Sequence, residues 1–448
     1  MKYCSRPFDY LLVEEGGDIY LCPWMKRLQK ETCIGNLVND DIDSCYNSTF
    51  ANELRASIEE QTFSFCRSDA CPFLQNNDLE EISLEEFNLR KLNSYYPTQI
   101  NIAFDYTCNQ YCETCRKSAL TSPSINVEIS EIILKNITPY LNTAKFITTS
   151  GNGEFLVQKK IMSMLENLRP TNQNLHLLLE TNGVFFDEEH WVQFKHLSKF
   201  NLEVVVTINS FNKFTYNHIN RGGNYKKLHD NLVFISQLRN KGELSKIISS
   251  LVMQDRNFRE IPSFINTSFE RYAFDAVMLK PVYQWGTMDD EVYWFKDVLN
   301  PLHPYHNEYL EIMCDPILTD PRVYNFAGDS VHEARPYPSA LSANYLFPYD
   351  LVNRNSNVVI YGSGRVGREF VRQISLNNFC NVVLWVDKAH DNESIFPPDK
   401  LRDMTQDSYD YIVLATISKT FAEEMSYSLI NMGIPKERII SSINEDYC

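Results

Sequence analysis

The stretch Ile100-Asn-Ile-Ala-Phe-Asp-Tyr-Thr-Cys108-Asn-Gln-Tyr-Cys112-Glu-Thr-Cys115 couples a strand signal to a loop of thiols. Ile100, Ile102 and Phe104 recur at the period of a half-buried strand. Three cysteines follow at C-x3-C-x2-C spacing. A thiolate loop directly after a strand can hold three corners of a 4Fe–4S cluster and leave one iron open. The competing reading is a zinc knuckle, because C-x2-C pairs are common zinc ligands. Tetrahedral zinc needs a fourth ligand, and the nearest histidine in sequence is His176. The loop therefore suits a cluster that reserves a site.

Downstream of the loop, strand and helix patterns alternate. Strands are expected at 100–104, 145–149, 175–180, 203–208, 247–253 and 276–280, with amphipathic helices such as 128–141, 156–168 and 225–239 between them. Six strand–helix units in a row predict an α/β fold, a parallel sheet curled into a partial (βα)6 TIM-like barrel. Functional loops then belong at the carboxyl ends of the strands. This core is drawn over 98–310. A small cysteine-rich module (1–75) and a polar helical linker (76–97) precede it. A less regular connecting segment (311–354) and a second α/β unit (355–448) follow.

At 448 residues the chain should hold two or three domains, at roughly 150 residues each. An apolar fraction of 44% and an aromatic fraction of 13% suit packed cores rather than disorder. A net charge of −16 argues against nucleic-acid or anionic-membrane partners. There is no run of 18 apolar residues, and Met1-Lys-Tyr-Cys-Ser-Arg-Pro does not read as a signal peptide, so a soluble cytoplasmic protein is expected. Twelve cysteines in that setting read as metal ligands or reactive thiols, not as disulfides.

The strand ends carry further signals in order. The second ends Thr149-Ser150-Gly151-Asn-Gly153-Glu154, the third Thr181-Asn-Gly, the fourth Val206-Thr207-Ile-Asn209-Ser, and His218-Ile-Asn-Arg221-Gly-Gly comes next. Taken singly they are ordinary turns and helix starts. Together with the cysteine loop they resemble the radical S-adenosylmethionine enzymes. That resemblance implies that the open iron takes the amino and carboxylate groups of S-adenosylmethionine, and that reduction releases a 5′-deoxyadenosyl radical. It implies cofactor contacts at Ser150, Gly151, Gly153 and Glu154. Thr207 and Asn209 would meet the ribose or the substrate, and Arg221 would clamp the methionine carboxylate as a fork. Phe155 stands where relatives commonly carry proline, and Asn209 where they often carry aspartate.

Cys4, Gly17 and Cys22 form C-x12-G-x4-C, followed by Ile34-Gly-Asn-Leu and by Cys66-Arg-Ser-Asp-Ala-Cys71. This resembles the opening of the SPASM domain, an auxiliary iron–sulfur module of many peptide-modifying radical enzymes. The resemblance implies a closed auxiliary cluster on Cys4, Cys22, Cys66 and Cys71. Here the module precedes the core instead of following it, and its reduced cysteine set suits one cluster rather than two. A structural zinc fits the same ligands. Cys33, beside the motif, is a candidate substitute ligand, whereas Cys45, Cys314, Cys380 and Cys448 read as plain thiols.

Val358-Val-Ile-Tyr-Gly362-Ser-Gly364-Arg-Val-Gly367-Arg-Glu is G-x-G-x-x-G between a strand and a helix, with Asp387 ending the next strand. Gly362 permits the turn, Gly364 the approach of a diphosphate, Gly367 close packing, and Asp387 a ribose contact. The unit looks Rossmann-like and suits NAD or another nucleotide; a degenerate module used for packing fits equally.

The whole reads as an iron–sulfur module, a radical core and a nucleotide-type tail. The expected reaction is hydrogen abstraction from a small molecule, such as a sugar or nucleotide sugar. The alternatives are a SPASM-type maturase acting on a peptide or protein side chain, and a non-catalytic iron–sulfur or zinc sensor. A flavodoxin- or ferredoxin-type reductant is implied. No catalytic residue beyond the cofactor sites is identified.

Overall fold

Lys246-Ile-Ile-Ser-Ser-Leu-Val-Met253 is almost unbroken in apolar and small residues, the pattern of a parallel strand covered on both faces. In the computed structural model it is β10, an interior strand third from one edge of a ten-stranded sheet. The structure describes residues 1–25, 32–66, 71–75, 77–92, 96–120, 126–149, 151–284, 287–327, 334–337, 345–349 and 351–441. Ser150 and Cys448 lie outside them.

Strands β6 (Gln99–Ile102), β7 (Phe146–Thr148), β8 (His176–Thr181), β9 (Asn201–Thr207), β10 and β11 (Ala276–Pro281) lie side by side in chain order, all parallel. The helices that return the chain are Val127–Thr143, Lys159–Asn167, Glu188–Phe194, Tyr225–Asn240 and Ile261–Tyr272. Their buried stripes fit a 3.6-residue period, as with Ile133, Ile137 and Leu141, or Leu228, Leu232 and Ile235. The side chain of Asn224 caps its helix by accepting from Lys227 N at 3.0 Å.

Two features of this sheet depart from the boundaries read in the sequence. Strand β2 (Tyr10–Val13), inside the cysteine-rich module, pairs parallel with β6 and carries β3 (Asp18–Tyr20) and β4 (Gly35–Asn36) antiparallel beyond it. At the other edge β12 (Val323–Asn325), inside the expected connecting segment, pairs parallel with β11. The first compact unit is thus 1–288 with 311–331, and 289–310 belongs to the second unit rather than to the core. Short strands β1 (Lys2–Tyr3) and β5 (Glu80–Glu81) pair separately, and the linker region carries a helix, Leu84–Leu92.

The two faces of the sheet differ. Ser249 Oγ donates to Ser268 Oγ of helix Ile261–Tyr272 at 2.8 Å, so odd-numbered residues of β10 face the helices. On the opposite face Val205, Ile248 and Ala276 form a buried cluster with Leu178 and Met278 against it. Thr207 and Ser250 are paired residues one step nearer the carboxyl ends.

In the second unit, β13 (Asn357–Tyr361), β14 (Asn381–Val386), β15 (Tyr411–Leu414) and β16 (Ile439–Ser441) form a parallel sheet in the order β14-β13-β15-β16. The last of these is a fourth strand that the sequence pattern did not reveal. Strand order reverses at β13, next to the glycine loop, which is where ligands bind in open α/β sheets.

Candidate functional site

Strand β6 hands the chain to the thiol loop through the fully buried Phe104 and a turn at Asp105. Asp105 Oδ1 accepts from Thr107 N at 2.9 Å and from Thr107 Oγ1 at 2.6 Å. The loop is then pinned by backbone bonds of 2.9 Å each, from Cys108 N to Leu120 O, Tyr111 N to Arg221 O and Glu113 N to Ile219 O. Glu113 and Arg256 form a largely buried ion pair at 3.0 Å, tying the loop to the end of β10. A loop held this way keeps its three sulfurs in place before anything binds.

The thiols are near enough to influence one another. Gln110 N–H donates to Cys108 Sγ at 3.4 Å. Burial pushes the Cys108 thiol up to about 11, and the nearby Glu154 carboxylate adds to the effect. At Cys112 burial raises it further, reinforced by Cys115 and Cys108. Three thiolates this crowded need a positive partner to ionise together.

The Gly151–Glu154 segment comes to the same place. Glu154 N donates to Thr107 O at 2.9 Å. Its carboxylate, 1% exposed, accepts from Asn182 N at 2.6 Å and Thr181 Oγ1 at 2.7 Å. Burial lifts this carboxyl to about 7, with those two donors holding it down in part. Gly153 has φ +68, and a Cβ there would lie 2.5 Å from Thr107 O, so only glycine lets the segment press against the loop. Asn182 Nδ2 donates to Asn109 Oδ1 at 2.9 Å, joining the third strand end to the loop as well.

Two residues expected to touch the cofactor also bond to the protein itself. Arg221 Nε donates to Tyr111 O at 3.1 Å and its guanidinium lies 5.2 Å from the Tyr111 ring centre, so it braces the loop's outer wall. Asn209, 4% exposed and at φ +64, accepts from Val252 N at 2.9 Å and donates to Asn220 Oδ1 at 3.1 Å. Thr207 stays on the face opposite the helices, beside Ser250.

Cys4, Cys22, Cys66 and Cys71 line one small hollow together with Trp24 and Phe73. Burial pushes Cys4 and Cys66 up to about 12, and the Arg6 N–H eases this at Cys4. Cys22 also rises by burial, while the N–H groups of Trp24 and Met25 favour its thiolate. Cys33 is elsewhere: it donates to Gly35 O at 3.1 Å and packs with Tyr10, Leu12, Tyr20 and Ala103. Among the described residues, no three histidine, cysteine, aspartate or glutamate side chains group as a single-metal site.

Sequence reasoning missed three residues. Glu14 follows β2 and accepts from Tyr106 Oη at 2.9 Å and Asn152 Nδ2 at 2.8 Å, joining the cysteine-rich segment to the cofactor segment. An acid directly after the run Tyr10-Leu-Leu-Val was the available signal. Lys280 Nζ meets Glu180 Oε2 at 3.4 Å. Gln110, 1% exposed, had no signal beyond its place in the loop.

In the second unit, the glycine loop folds tightly. A Cβ on Gly367 would lie 1.9 Å from Gly362 O, while one on Gly364 would meet open space. Asp387 turns back to accept from Ser363 N and, at 2.8 Å, from Ala389 N; these bonds hold its carboxyl below the usual range despite partial burial. Gly367→Ala should destabilise this unit by about 1–3 kcal/mol through overpacking, read as a lower thermal midpoint with the first unit's transition unmoved.

Residues 4–72 match the SPASM family, an iron–sulfur cluster-binding domain. No curated protein matches the chain. Among solved structures, Streptococcus suis SuiB bound to S-adenosylmethionine aligns at 12% identity and TM-score 0.36, covering 62% of this chain and 61% of SuiB. The histidine-tagged anSMEcpe with bound AdoMet aligns at 19% and TM-score 0.30, covering 40% of this chain and 49% of that one. Native anSMEcpe with AdoMet and the Cp18Cys peptide gives 19% and 0.29, covering 40% and 48%. The chain thus spans about half to three-fifths of the length of these structures. What stands is a segment that matches the SPASM model joined to an α/β fold of parallel strands, and no helix among the described residues is long and apolar enough to cross a membrane.

Proposed function

We propose that the chain is a radical S-adenosylmethionine enzyme of SPASM type. Cys108, Cys112 and Cys115 would hold a 4Fe–4S cluster, with Cys4, Cys22, Cys66 and Cys71 holding an auxiliary one. The observation that carries the reading is the meeting of the three-thiol loop, the buried Glu154 and the Thr181-Asn-Gly turn at the carboxyl ends of adjacent parallel strands. When bound and reduced, such a cluster supplies the electron that cleaves S-adenosylmethionine. The chain's own part is to hold and orient: Glu154 offers a carboxylate to an ammonium group, Gly153 opens the close approach, and Arg221 stiffens the loop.

A partial barrel is supported by the chain-order pairing from β6 to β11 and by the Glu180–Lys280 contact. Strands lie about 4.8 Å apart, so β8 and β11 would stand about 14 Å apart in a flat sheet. Side chains that meet at 3.4 Å across that span support a curled sheet over a flat one.

A peptide or protein side chain is the preferred substrate over a sugar or nucleotide sugar. The SPASM match over 4–72 supports this, since that module resembles the one in peptide-modifying enzymes. An outside flavodoxin- or ferredoxin-type reductant completes the scheme. For the tail, the bare Gly364 and the strand order around β13 support NAD or another nucleotide.

Anaerobic reconstitution should load about eight irons, four at each cluster, and the reduced protein's electron paramagnetic resonance signal should change when S-adenosylmethionine is added. Zinc without iron, or a signal indifferent to the cofactor, would refute the reading. Cys66→Ala should lose about four irons and keep the cofactor-responsive signal. Loss of one zinc instead would mark the amino-terminal site as structural.

A further inference from the structure

The Asn209 side chain begins a chain of buried amides that ends on a cluster-loop cysteine. Asn209 Nδ2 donates to Asn220 Oδ1 at 3.1 Å, and Asn220 Nδ2 donates to Gln110 Oε1 at 3.2 Å. That same Oε1 lies 3.4 Å from Cys112 Sγ, and Gln110 Nε2 donates to Tyr216 Oη at 3.3 Å. Asn209, Asn220, Gln110 and Tyr216 are each 4% exposed or less.

An amide can usually be turned over, exchanging its oxygen and nitrogen. Here one end is fixed. The backbone N–H of Val252 donates to Asn209 Oδ1 at 2.9 Å, and a backbone N–H cannot become an acceptor. Asn209 must therefore present its nitrogen to Asn220, Asn220 its nitrogen to Gln110, and Gln110 its oxygen to Cys112. Turning any one amide over would leave two donors or two acceptors facing each other in a buried site.

We propose that Asn209 sets the direction of this chain and thereby keeps a carbonyl oxygen, rather than an N–H, against the Cys112 sulfur, holding the potential of the loop's cluster low. The inference rests on the three-thiol reading given above. A cysteine thiol can donate to that oxygen, but a ligating thiolate cannot, so the oxygen's partial negative charge disfavours an added electron. Donors to cluster sulfurs act in the opposite sense. Asn209 and Gln110 are positioning residues on this view. A carboxylate at this position could accept from Val252 N but could not donate to Asn220 Oδ1.

The test is the midpoint potential of the S-adenosylmethionine-responsive cluster in the full chain, followed by electron paramagnetic resonance during redox titration. Gln110→Met removes the oxygen without adding charge and should make the potential less negative. Asn209→Ala frees Asn220 and Gln110 to turn over and should shift it in the same direction, although it touches no cysteine. The double variant should match Gln110→Met alone, because no amide remains to turn. An unchanged potential in Asn209→Ala at full iron content, or additive shifts in the double variant, would overturn the proposal. If Asn209→Ala does not fold, Asn220→Leu breaks the chain one link nearer and must give the same shift. A wild-type protein that takes up no iron at Cys108, Cys112 and Cys115 would instead refute the functional reading beneath it.

Discussion

Cys112→Ala should carry about four fewer irons than the wild-type chain and release no 5′-deoxyadenosine from S-adenosylmethionine under dithionite. A cluster held by three thiolates keeps one iron open; with two it has no stable anchorage. Cys112 lies between its partners in sequence and is the most strongly raised of the thiols described in this loop, through burial and then through both neighbours. The fold should survive the change. The loop is pinned by Leu120, Ile219 and Arg221 through backbone bonds that do not involve the sulfur, and the tail is a separate compact unit. Unchanged thermal unfolding with loss of iron is the expected pair of observations. Retained cofactor cleavage would remove Cys112 from the site.

Glu154→Gln should weaken S-adenosylmethionine binding by about 10- to 100-fold, since a hydrogen bond to a charged group is worth about 1.5–3 kcal/mol and 1.4 kcal/mol is tenfold. The substitution keeps the shape of the side chain but removes its charge. It also sets an amide NH2 against donors at Thr181 and Asn182 that now find carboxylate oxygens at 2.7 and 2.6 Å. A pH dependence accompanies it. Burial lifts the Glu154 carboxyl to about 7, so the carboxylate is neutralised as pH falls through that value and loses its attraction for an ammonium group. Calorimetric affinity for the cofactor should decline on acidification in the wild type and stay flat in Glu154→Gln. Equal pH profiles would place the ammonium elsewhere.

The site's residues were legible in the sequence where they sit in short runs with a mechanism. Three cysteines after an alternating strand, or glycines flanked by a strand and a helix, carry their chemistry within a dozen positions. What escaped depended on pairings across long separations. Nothing in Tyr10-Leu-Leu-Val announces that it will pair with residues 99–102, because any apolar tetrapeptide can serve as an edge or a central strand. Val323–Asn325 is too short to stand out from a Pro- and Tyr-rich stretch, yet it extends the same sheet. Arg221 and Asn209 were matched to motif positions by type, and the bonds both side chains make within the protein were not legible there. Two of their partners, Tyr111 O and Val252 N, are backbone atoms, which no residue pattern reveals. Cys33 shows the reverse case: it adjoins the SPASM motif in sequence, yet the fold sends it to the Tyr10–Tyr20 cluster, away from the four-thiol hollow.

The most direct measurement is the product formed when anaerobically reconstituted wild-type protein is reduced with dithionite in the presence of S-adenosylmethionine. Release of 5′-deoxyadenosine, lost in Cys112→Ala, is the expected result. An iron-loaded protein that forms no 5′-deoxyadenosine would contradict a cofactor-cleaving site and leave an iron–sulfur protein without radical chemistry.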